Sequence, residues 1–259
     1  MAITKVYYSV IRTAFENGLL PKASNVLEFG EANWYGDVPP ETFFNDIKLF
    51  GKNSKEQKRL EKKLSSILDK AEETQLFDAA KLFYRLFFGA RNVTAIDFHG
   101  TPDSLQMDLN EPLDLDRQFD VTINNGTAEH IFNLGRFFAN MHDATKPGGL
   151  MVHEGPMING WIDHGFVNFQ PTLFFDMAAA NNYQIKCFFL GSIDPFQVQA
   201  FESREQVLAF AENGQLPDNP VYMTLMEKGP DNNKFIAPIQ GYYAGAISRE
   251  AHESWRRLR

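Results

Sequence analysis

Six acidic and imidazole side chains that could carry out proton transfer lie in two short stretches of the second half of the chain. They are Glu129, His130, His153, Glu154, Asp163 and His164. An imidazole titrates near neutral pH and a carboxylate can accept a proton, so this set suits general acid–base catalysis. His164 is the best candidate for a base, because Gly165 after it suggests a loop that reaches a pocket. We predict His164, Glu129 and His130 as the catalytic residues.

Each of these residues also has a structural interpretation. Glu129 and His130 could stand at the start of a helix, where an acid complements the positive end of the helix dipole. His153 lies in the predicted strand 149–154 and would be satisfied inside the core. A metal site is conceivable, with ligands drawn from His153, Glu154, Asp163 and His164. No spacing in these stretches matches a metal-binding motif, so we predict no metal.

A ligand loop is predicted in the first part of the chain. The apolar run 25–29 leads into Glu28-Phe29-Gly30, as the first strand of a nucleotide-binding α/β sheet does. Gly30 has no Cβ and lets the backbone turn sharply, while Glu28 would direct its two acceptor oxygens toward the crevice beyond the strand. Asp97 ends the next predicted strand, where such folds hold a ribose.

The loop departs from the dinucleotide fingerprint G-x-G-x-x-G, because only its first glycine, Gly30, is present. An S-adenosyl cofactor has no phosphate and does not need that glycine set. Asp97 could hold its ribose hydroxyls, Asp108 could accept from the adenine amino group, and Trp34 could offer an aromatic face to the sulfonium. A nicotinamide-dependent (NAD) oxidoreductase is kept as an alternative.

Five pieces of the sequence, taken in order, resemble the class I S-adenosylmethionine-dependent methyltransferases over about residues 24–192. They are residues 26–30, 95–97, 107–109, 119–130 and 146–150. The resemblance implies an α/β fold with a Rossmann-like, seven-stranded, mostly parallel sheet, helices on both faces and a final antiparallel strand. It also implies methyl transfer by in-line displacement to an O, N or C nucleophile of a small molecule, with S-adenosyl-L-homocysteine as the product.

Cofactor contacts follow from the same resemblance. The residues it assigns to S-adenosyl-L-methionine are Glu28, Gly30, Trp34, Asp97, Asp108, Leu109, Asn124, Asn125 and Gly126. The run 164–174, which begins His-Gly-Phe, resembles a bacterial branch of the same superfamily.

Hydrophobic periodicity and turn residues predict the elements that must position these side chains. The predicted helices cover residues 3–19, 52–70, 75–89, 128–144, 171–181 and 203–213. The predicted strands cover residues 25–29, 92–97, 105–107, 119–124, 149–154, 184–191 and 221–227. We predict one domain over residues 1–259, with residues 37–74 as an inserted helical lid.

Composition limits the partners. A net charge of -8 disfavours a nucleic-acid groove, and the single cysteine, Cys187, excludes an internal disulfide and fits a reducing cytoplasm. No apolar run reaches the roughly 18 residues of a membrane span. We therefore predict a cytoplasmic methyltransferase for a small-molecule acceptor, with homo-oligomerisation left open. A regulator that binds the cofactor without turnover is the second alternative.

Overall fold

The computed structural model describes residues 2–69, 74–231 and 233–258. The strands in these ranges are β1 (Ala2–Ile3), β2 (Ser24–Phe29), β3 (Asn33–Trp34), β4 (Ala90–Ile96), β5 (Phe119–Asn125), β6 (Thr145–Pro156), β7 (Gln184–Ser192), β8 (Gln197–Phe201) and β9 (Val221–Glu227). Seven of them form one sheet in the order β4-β2-β5-β6-β9-β7-β8, and β1 pairs with β3 in a separate two-stranded sheet.

Strand directions confirm the predicted sheet. Strands β4, β2, β5 and β6 are mutually parallel, and β9 runs antiparallel to both of its neighbours, β6 and β7. The central strands β2 and β5 are buried along most of their length because both faces of the sheet are covered. Neighbouring residues Val26 and Leu27, for example, enter two different hydrophobic cores.

Helices cover both of these faces. Those in the described ranges are α1 (Lys5–Glu16), α2 (Pro40–Phe50), α3 (Ser54–Leu68), α4 (Thr74–Phe87), α5 (Leu134–Ala144), α6 (Pro171–Asn181), α7 (Arg204–Glu212), α8 (Gly241–Ala244) and α9 (Arg249–Arg257). Helices α1 to α4 contribute to one core, and α5 to α7 contribute to the other. No helix within these ranges is long and apolar enough to cross a membrane.

Three local predictions were wrong or incomplete. The strand expected at 105–107 is reduced to a single bridge between Ile96 and Leu105, because the chain bends away after that pair. Strand β8 was not predicted; it pairs with β7 as an antiparallel edge hairpin. The helix expected over 128–144 is divided, since Asn133 caps α5 by accepting a hydrogen bond from the Arg136 N–H. Residues 128–130 form a separate 3-10 turn.

Residues 37–69 contain α2 and α3, and these two helices belong to the core of the α1 face. Phe43 and Ile47 of α2, with Leu60 and Leu64 of α3, are buried in that core. Residues 70–73 of the predicted lid lie outside the described ranges. The division into one domain with a lid stays a prediction.

A buried carboxylate joins α2 to α1. Asp46 is buried and accepts hydrogen bonds from the Tyr8 hydroxyl (2.7 Å) and from Arg12 Nε (3.0 Å). Arg12 also contacts Glu16, whose side chain is 41% exposed.

We expect Asp46→Asn to lower the free energy of unfolding by about 2 kcal/mol, because Arg12 loses its buried counter-charge but is itself partly open to water. Urea denaturation measures this change. The matched control, Glu16→Gln, removes the exposed partner of the same arginine and should change the free energy of unfolding by less than about 0.5 kcal/mol. Equal effects of the two substitutions would contradict the assigned docking of α2.

Candidate active site

The carboxyl ends of β2, β4, β5 and β6 meet at one edge of the sheet. Strand β2 comes first in the chain among these four, with β4 on one side and β5 on the other, so the strand order reverses between β2 and β5. Ligands of open α/β sheets bind in the crevice at such a point. Gly30, Asp97 and Gly126 stand just beyond the ends of β2, β4 and β5, and Glu154 lies within the last three residues of β6. This edge is therefore where a ligand site is expected.

Asp97 connects the loops that follow β2 and β4. Its Oδ2 accepts a hydrogen bond from the Glu31 N–H (2.9 Å), and its Oδ1 accepts one from the His99 N–H (2.8 Å). Gly30 makes the turn with φ of 90° and donates its N–H to the Ile96 carbonyl (2.7 Å). Each carboxylate oxygen has more than one acceptor position, so Asp97 can still accept from a ligand hydroxyl.

Glu31 holds this pair of loops together and was not singled out from the sequence. Its buried carboxylate accepts hydrogen bonds from Thr101 N–H (2.6 Å), Thr101 Oγ1 (3.0 Å) and Ser104 Oγ (2.8 Å), and it pairs with Lys81 Nζ (2.7 Å). Burial alone would raise the pKa of Glu31, but Lys81 and these donors lower it overall. The only sequence signal was an acid next to Gly30, and its donors come from distant parts of the chain.

Glu28 lies beneath the loop rather than facing the crevice. The carboxyl is buried, and its Oε1 accepts a hydrogen bond from the Ala32 N–H (3.2 Å). The phenols of Tyr7 and Tyr84 lie beside it. Burial raises the pKa of Glu28 to about 8. Its role in this structure is therefore to fix the turn as a neutral acid, which corrects the expectation that both oxygens point into the crevice.

Trp34 is also part of the core. Its ring stacks on Phe43 with 5.1 Å between ring centroids, and Tyr8 meets it edge-on at 5.9 Å. The aromatic face that was expected to meet a sulfonium is thus packed against α2.

Asp108 lies at the surface, and Leu109 lies in the interior. Asp108 is exposed and its Oδ1 accepts hydrogen bonds from the Asn110 N–H (2.8 Å) and Nδ2 (2.9 Å), which lower its pKa. Leu109 is buried in the same core as Phe29 and Phe137. Asp108 can reach a ligand from the surface, whereas Leu109 supports the loop from below.

Asn124, Asn125 and Gly126 form the turn after β5. Asn124 Oδ1 accepts from the N–H groups of Thr127 (3.2 Å) and Ala128 (3.0 Å), so this side chain shapes the turn. Asn125 Nδ2 donates to the Ala2 carbonyl (3.1 Å), while its buried Oδ1 has no hydrogen-bond partner within the described ranges. Gly126 takes a φ of 70°. An unpaired buried acceptor is costly unless a ligand donor meets it.

Next to this turn is a cavity of about 310 Å³, called here the edge cavity. Its wall includes Asn125, Glu129, His130, Glu154, Trp161 and His164. The three predicted catalytic residues therefore lie together. Glu129 Oε1 is 3.9 Å from His130 Nε2 and 3.8 Å from His164 Nε2.

His153 and Asp163 do not join this group. His153 is buried against Phe138 and Phe174, with ring centroids 5.6 and 5.7 Å away. Neither of its ring nitrogens has a hydrogen-bond partner in the part of the chain that is described, so the expectation of a satisfied core histidine was wrong. Burial lowers the pKa of His153 to about 3, which keeps it neutral. Asp163 is exposed in the loop beside His164.

Comparison with known proteins gives structural neighbours only. No family model and no curated protein matches the chain. Similar solved structures include the N-methyltransferase NodS from Bradyrhizobium japonicum, at 12% identity and a TM-score of 0.45, over 86% of this chain and 94% of that one. A putative methyltransferase from Bacillus halodurans is 12% identical with a TM-score of 0.46, over 86% of this chain and 100% of that one.

A third similar structure is the Burkholderia thailandensis 1,6-didemethyltoxoflavin-N1-methyltransferase, with 12% identity and a TM-score of 0.34, over 86% of this chain and 88% of that one. With TM-scores below 0.5, the fold assignment rests on the sheet itself: four parallel strands with a reversal between β2 and β5, and the late strand β9 inserted antiparallel between β6 and β7. The chain therefore has the predicted Rossmann-like α/β fold with a seven-stranded, mostly parallel sheet.

The two acids that line the edge cavity, Glu129 and Glu154, have raised pKa values. Burial raises the pKa of Glu129 to about 7. Burial, with the nearby Glu129, raises the pKa of Glu154 to about 8. The pKa of His130 is lowered by burial and by His164. Groups that change charge near neutral pH beside a cavity are suited to exchanging protons with a bound molecule.

The loop that carries His164 departs from regular backbone. Asn159, Trp161 and Asp163 all have positive φ, a costly conformation for residues with side chains. The loop is held by hydrogen bonds from Trp161 Nε1 to the Pro220 carbonyl (2.8 Å) and from the Phe166 N–H to the Glu129 carbonyl (2.8 Å). A Cβ on Gly165 would lie 2.8 Å from that same carbonyl oxygen, so only glycine allows this approach.

The buried acid Glu28, below the loop after β2, makes the stability of the protein depend on pH. Because the pKa of Glu28 is raised to about 8 in the folded protein, its favourable contribution is complete below the unfolded pKa and is lost as pH rises toward 8. Glutamine keeps an oxygen for the Ala32 N–H and has no proton to lose.

We therefore expect Glu28→Gln to become more stable than the unsubstituted protein as pH rises from 5 to 8, with a slope of up to about 1.4 kcal/mol per pH unit. Urea denaturation at several pH values tests this. The same exchange at the exposed Glu202 is the control and should show no such slope. A difference that does not change with pH would contradict the neutral state of Glu28.

Proposed function

We propose that the protein transfers a methyl group from S-adenosyl-L-methionine to a nucleophilic atom of a small molecule. One observation carries the proposal. The two loops that Asp97 connects, after β2 and β4, and the edge cavity occupy adjacent strand ends of the sheet. The first offers a carboxylate for a ribose, and the second brings an acid and two imidazoles together. A donor and an acceptor bound at these places would be neighbours.

The cofactor site of the proposal runs along the sheet edge from β4 to β5. Asp97 accepts from the ribose hydroxyls, Asp108 accepts from the adenine amino group, and Gly30 lets the backbone come close. The unpaired Oδ1 of Asn125 fits a ligand donor such as the amino group of the methionine tail. Glu28, Trp34, Leu109, Asn124 and Gly126 act by shaping the loops, as their packing and turn contacts indicate.

Catalysis in the proposal depends mainly on position. The bound cofactor supplies an electrophilic methyl carbon, and near-attack alignment can contribute roughly 7 to 11 kcal/mol to lowering the barrier. Glu129, fixed by burial, and the more exposed His130 and His164 face the edge cavity. These groups can take a proton from an acceptor hydroxyl or protonated amine. The atom methylated is proposed as O, N or C.

The partners belong to the same proposal. A cavity of about 310 Å³ suits a small molecule rather than a polymer. The net charge of -8 supports the absence of a nucleic-acid partner, and the single cysteine supports a cytoplasmic location.

We expect Asp97→Ala to weaken S-adenosyl-L-methionine binding at least about 100-fold, because two hydroxyls lose a charged acceptor. Isothermal titration calorimetry measures this affinity. Asp103→Asn, an exposed substitution in the same loop, is the control and should leave the affinity within about twofold of normal. Normal cofactor binding by the Asp97→Ala protein would refute the site. Titration with NAD tests the oxidoreductase alternative, which requires NAD to bind more tightly.

We expect His164→Ala to leave cofactor affinity unchanged and to lower turnover about 100-fold or more, the range for loss of a proton-transfer group. Formation of S-adenosyl-L-homocysteine, followed by mass spectrometry in the presence of a metabolite extract, measures turnover. Ile162→Ala, at a 90% exposed position of the same loop, controls for loop disturbance and should stay active. Tight binding of S-adenosyl-L-homocysteine with no turnover in any extract would instead favour a regulatory protein.

A further inference from the structure

We propose that Glu129, His130 and His164 form a binding site for a divalent transition-metal ion at the edge cavity. One ligand atom from each of these residues lies within 4.8 Å of the other two. Two imidazoles and a carboxylate are a ligand set for ions of the zinc, manganese, iron and cobalt class, whereas magnesium and calcium prefer oxygen ligands only. The site is assigned from these three side chains and does not depend on any cofactor.

The distances fit an ion better than direct hydrogen bonds. Glu129 Oε1 lies 3.8 Å from His164 Nε2 and 3.9 Å from His130 Nε2, whereas a hydrogen bond would require roughly 3.2 Å or less. Two ligands that bind one ion at about 2.1 Å lie about 3.0 to 3.4 Å apart. The three atoms lie within 4.8 Å of one another and surround a gap that would close around an ion when the two exposed imidazoles move inward.

The different exposure of the three side chains suits that closure. The Glu129 side chain is only 1% exposed, whereas the side chains of His130 and His164 are 48% and 43% exposed. The carboxylate is therefore the fixed point, and the two rings can rotate toward it. The imidazole rings already lie close, with 5.3 Å between their centroids.

Charge compensation points the same way. Glu129 Oε2 is buried and has no hydrogen-bond partner within the described ranges. The ion-pair partners of Glu129 in those ranges are the two imidazoles, which carry charge only when protonated. Glu154 lies near enough to repel the ionised form of Glu129. A bound cation would stabilise the ionised form of a carboxylate that is buried in this way.

The backbone brings the three ligand residues together before an ion binds. Glu129 and His130 are neighbours in the 3-10 turn after β5, and the positive-φ loop brings His164 to them. The Phe166 N–H bonds the Glu129 carbonyl at 2.8 Å, which ties the loop directly to the turn. Strain of this kind is kept where a site requires it.

Three protein ligands leave coordination positions open toward the edge cavity. Catalytic zinc sites have this form, with a water or substrate atom in the remaining position. This part of the inference rests on the proposed function: an acceptor hydroxyl bound there would lose its proton more readily and present its oxygen for methylation. With their ligand atoms bound to the ion, Glu129, His130 and His164 no longer take the proton themselves. The proton leaves to water, and the oxygen–carbon bond forms as the sulfur–carbon bond breaks.

Co²⁺ is the probe for the site itself, used with untagged, chelator-treated protein and without S-adenosyl-L-methionine. We expect one equivalent of Co²⁺ to bind, with visible absorption bands, and Zn²⁺ to displace it, whereas Mg²⁺ should not. Glu129→Gln and His164→Asn should each weaken Co²⁺ binding by more than about 100-fold, since even outer-shell partners of metal ligands contribute 10- to 100-fold.

His99→Ala removes an exposed imidazole outside the group and is the matched control for metal binding. Circular dichroism of each variant establishes that it is folded; if Glu129→Gln is not, His164→Asn alone decides the test. Absence of saturable Co²⁺ binding, or equal weakening in the His99→Ala protein, would overturn the site. Because the cofactor is absent, this result is independent of the Asp97 experiment. If the metal binds but a chelator does not change turnover, the ion is structural. That result would overturn the catalytic role of the ion.

Discussion

A buried carboxyl group requires a donor, a cation or a proton, and this requirement organises the carboxyl edge of the sheet. Glu31 meets it with Lys81 and the hydroxyl and backbone donors of the neighbouring loop, and so it can remain charged. Glu28 meets it by keeping its proton beneath the turn. Both acids therefore serve the structure, and their contacts set the path of the loop after β2.

Glu129 and Glu154 meet the same requirement less completely. They are buried beside the edge cavity, and each has a pKa raised by burial into the neutral range. The two imidazoles next to Glu129 stay just beyond hydrogen-bonding distance. Incomplete compensation costs stability, and a protein retains it where a bound molecule or ion completes the site. The contrast with Glu31 separates the acids whose charge is compensated within the fold from those that the proposal assigns to the site.

Much of the fold was accessible from residue patterns. Mainly apolar runs that end in glycine or acid identified the central strands, because strands buried on both faces are rich in apolar residues. Residue type and position along the chain also pointed to Asp97 and to Glu129, His130 and His164, and the last three line one cavity. Helix α2 lies inside the predicted helical lid, but its bounds were not predicted, and Phe43 packs in the core. The division at Asn133 was missed because a cap acts only once the turn has formed.

Residue types and periodicity alone determine the kind of sheet, the order of its strands along the chain and the side chains available for proton transfer. Only tertiary structure decides which of those side chains meet. Glu28 was expected in the crevice and lies under the loop, and His153 was expected to be satisfied and is packed between phenylalanines. The physical reason is that sequence spacing fixes neither the direction of a side chain at a strand end nor the long-range donors and cations that compensate its charge.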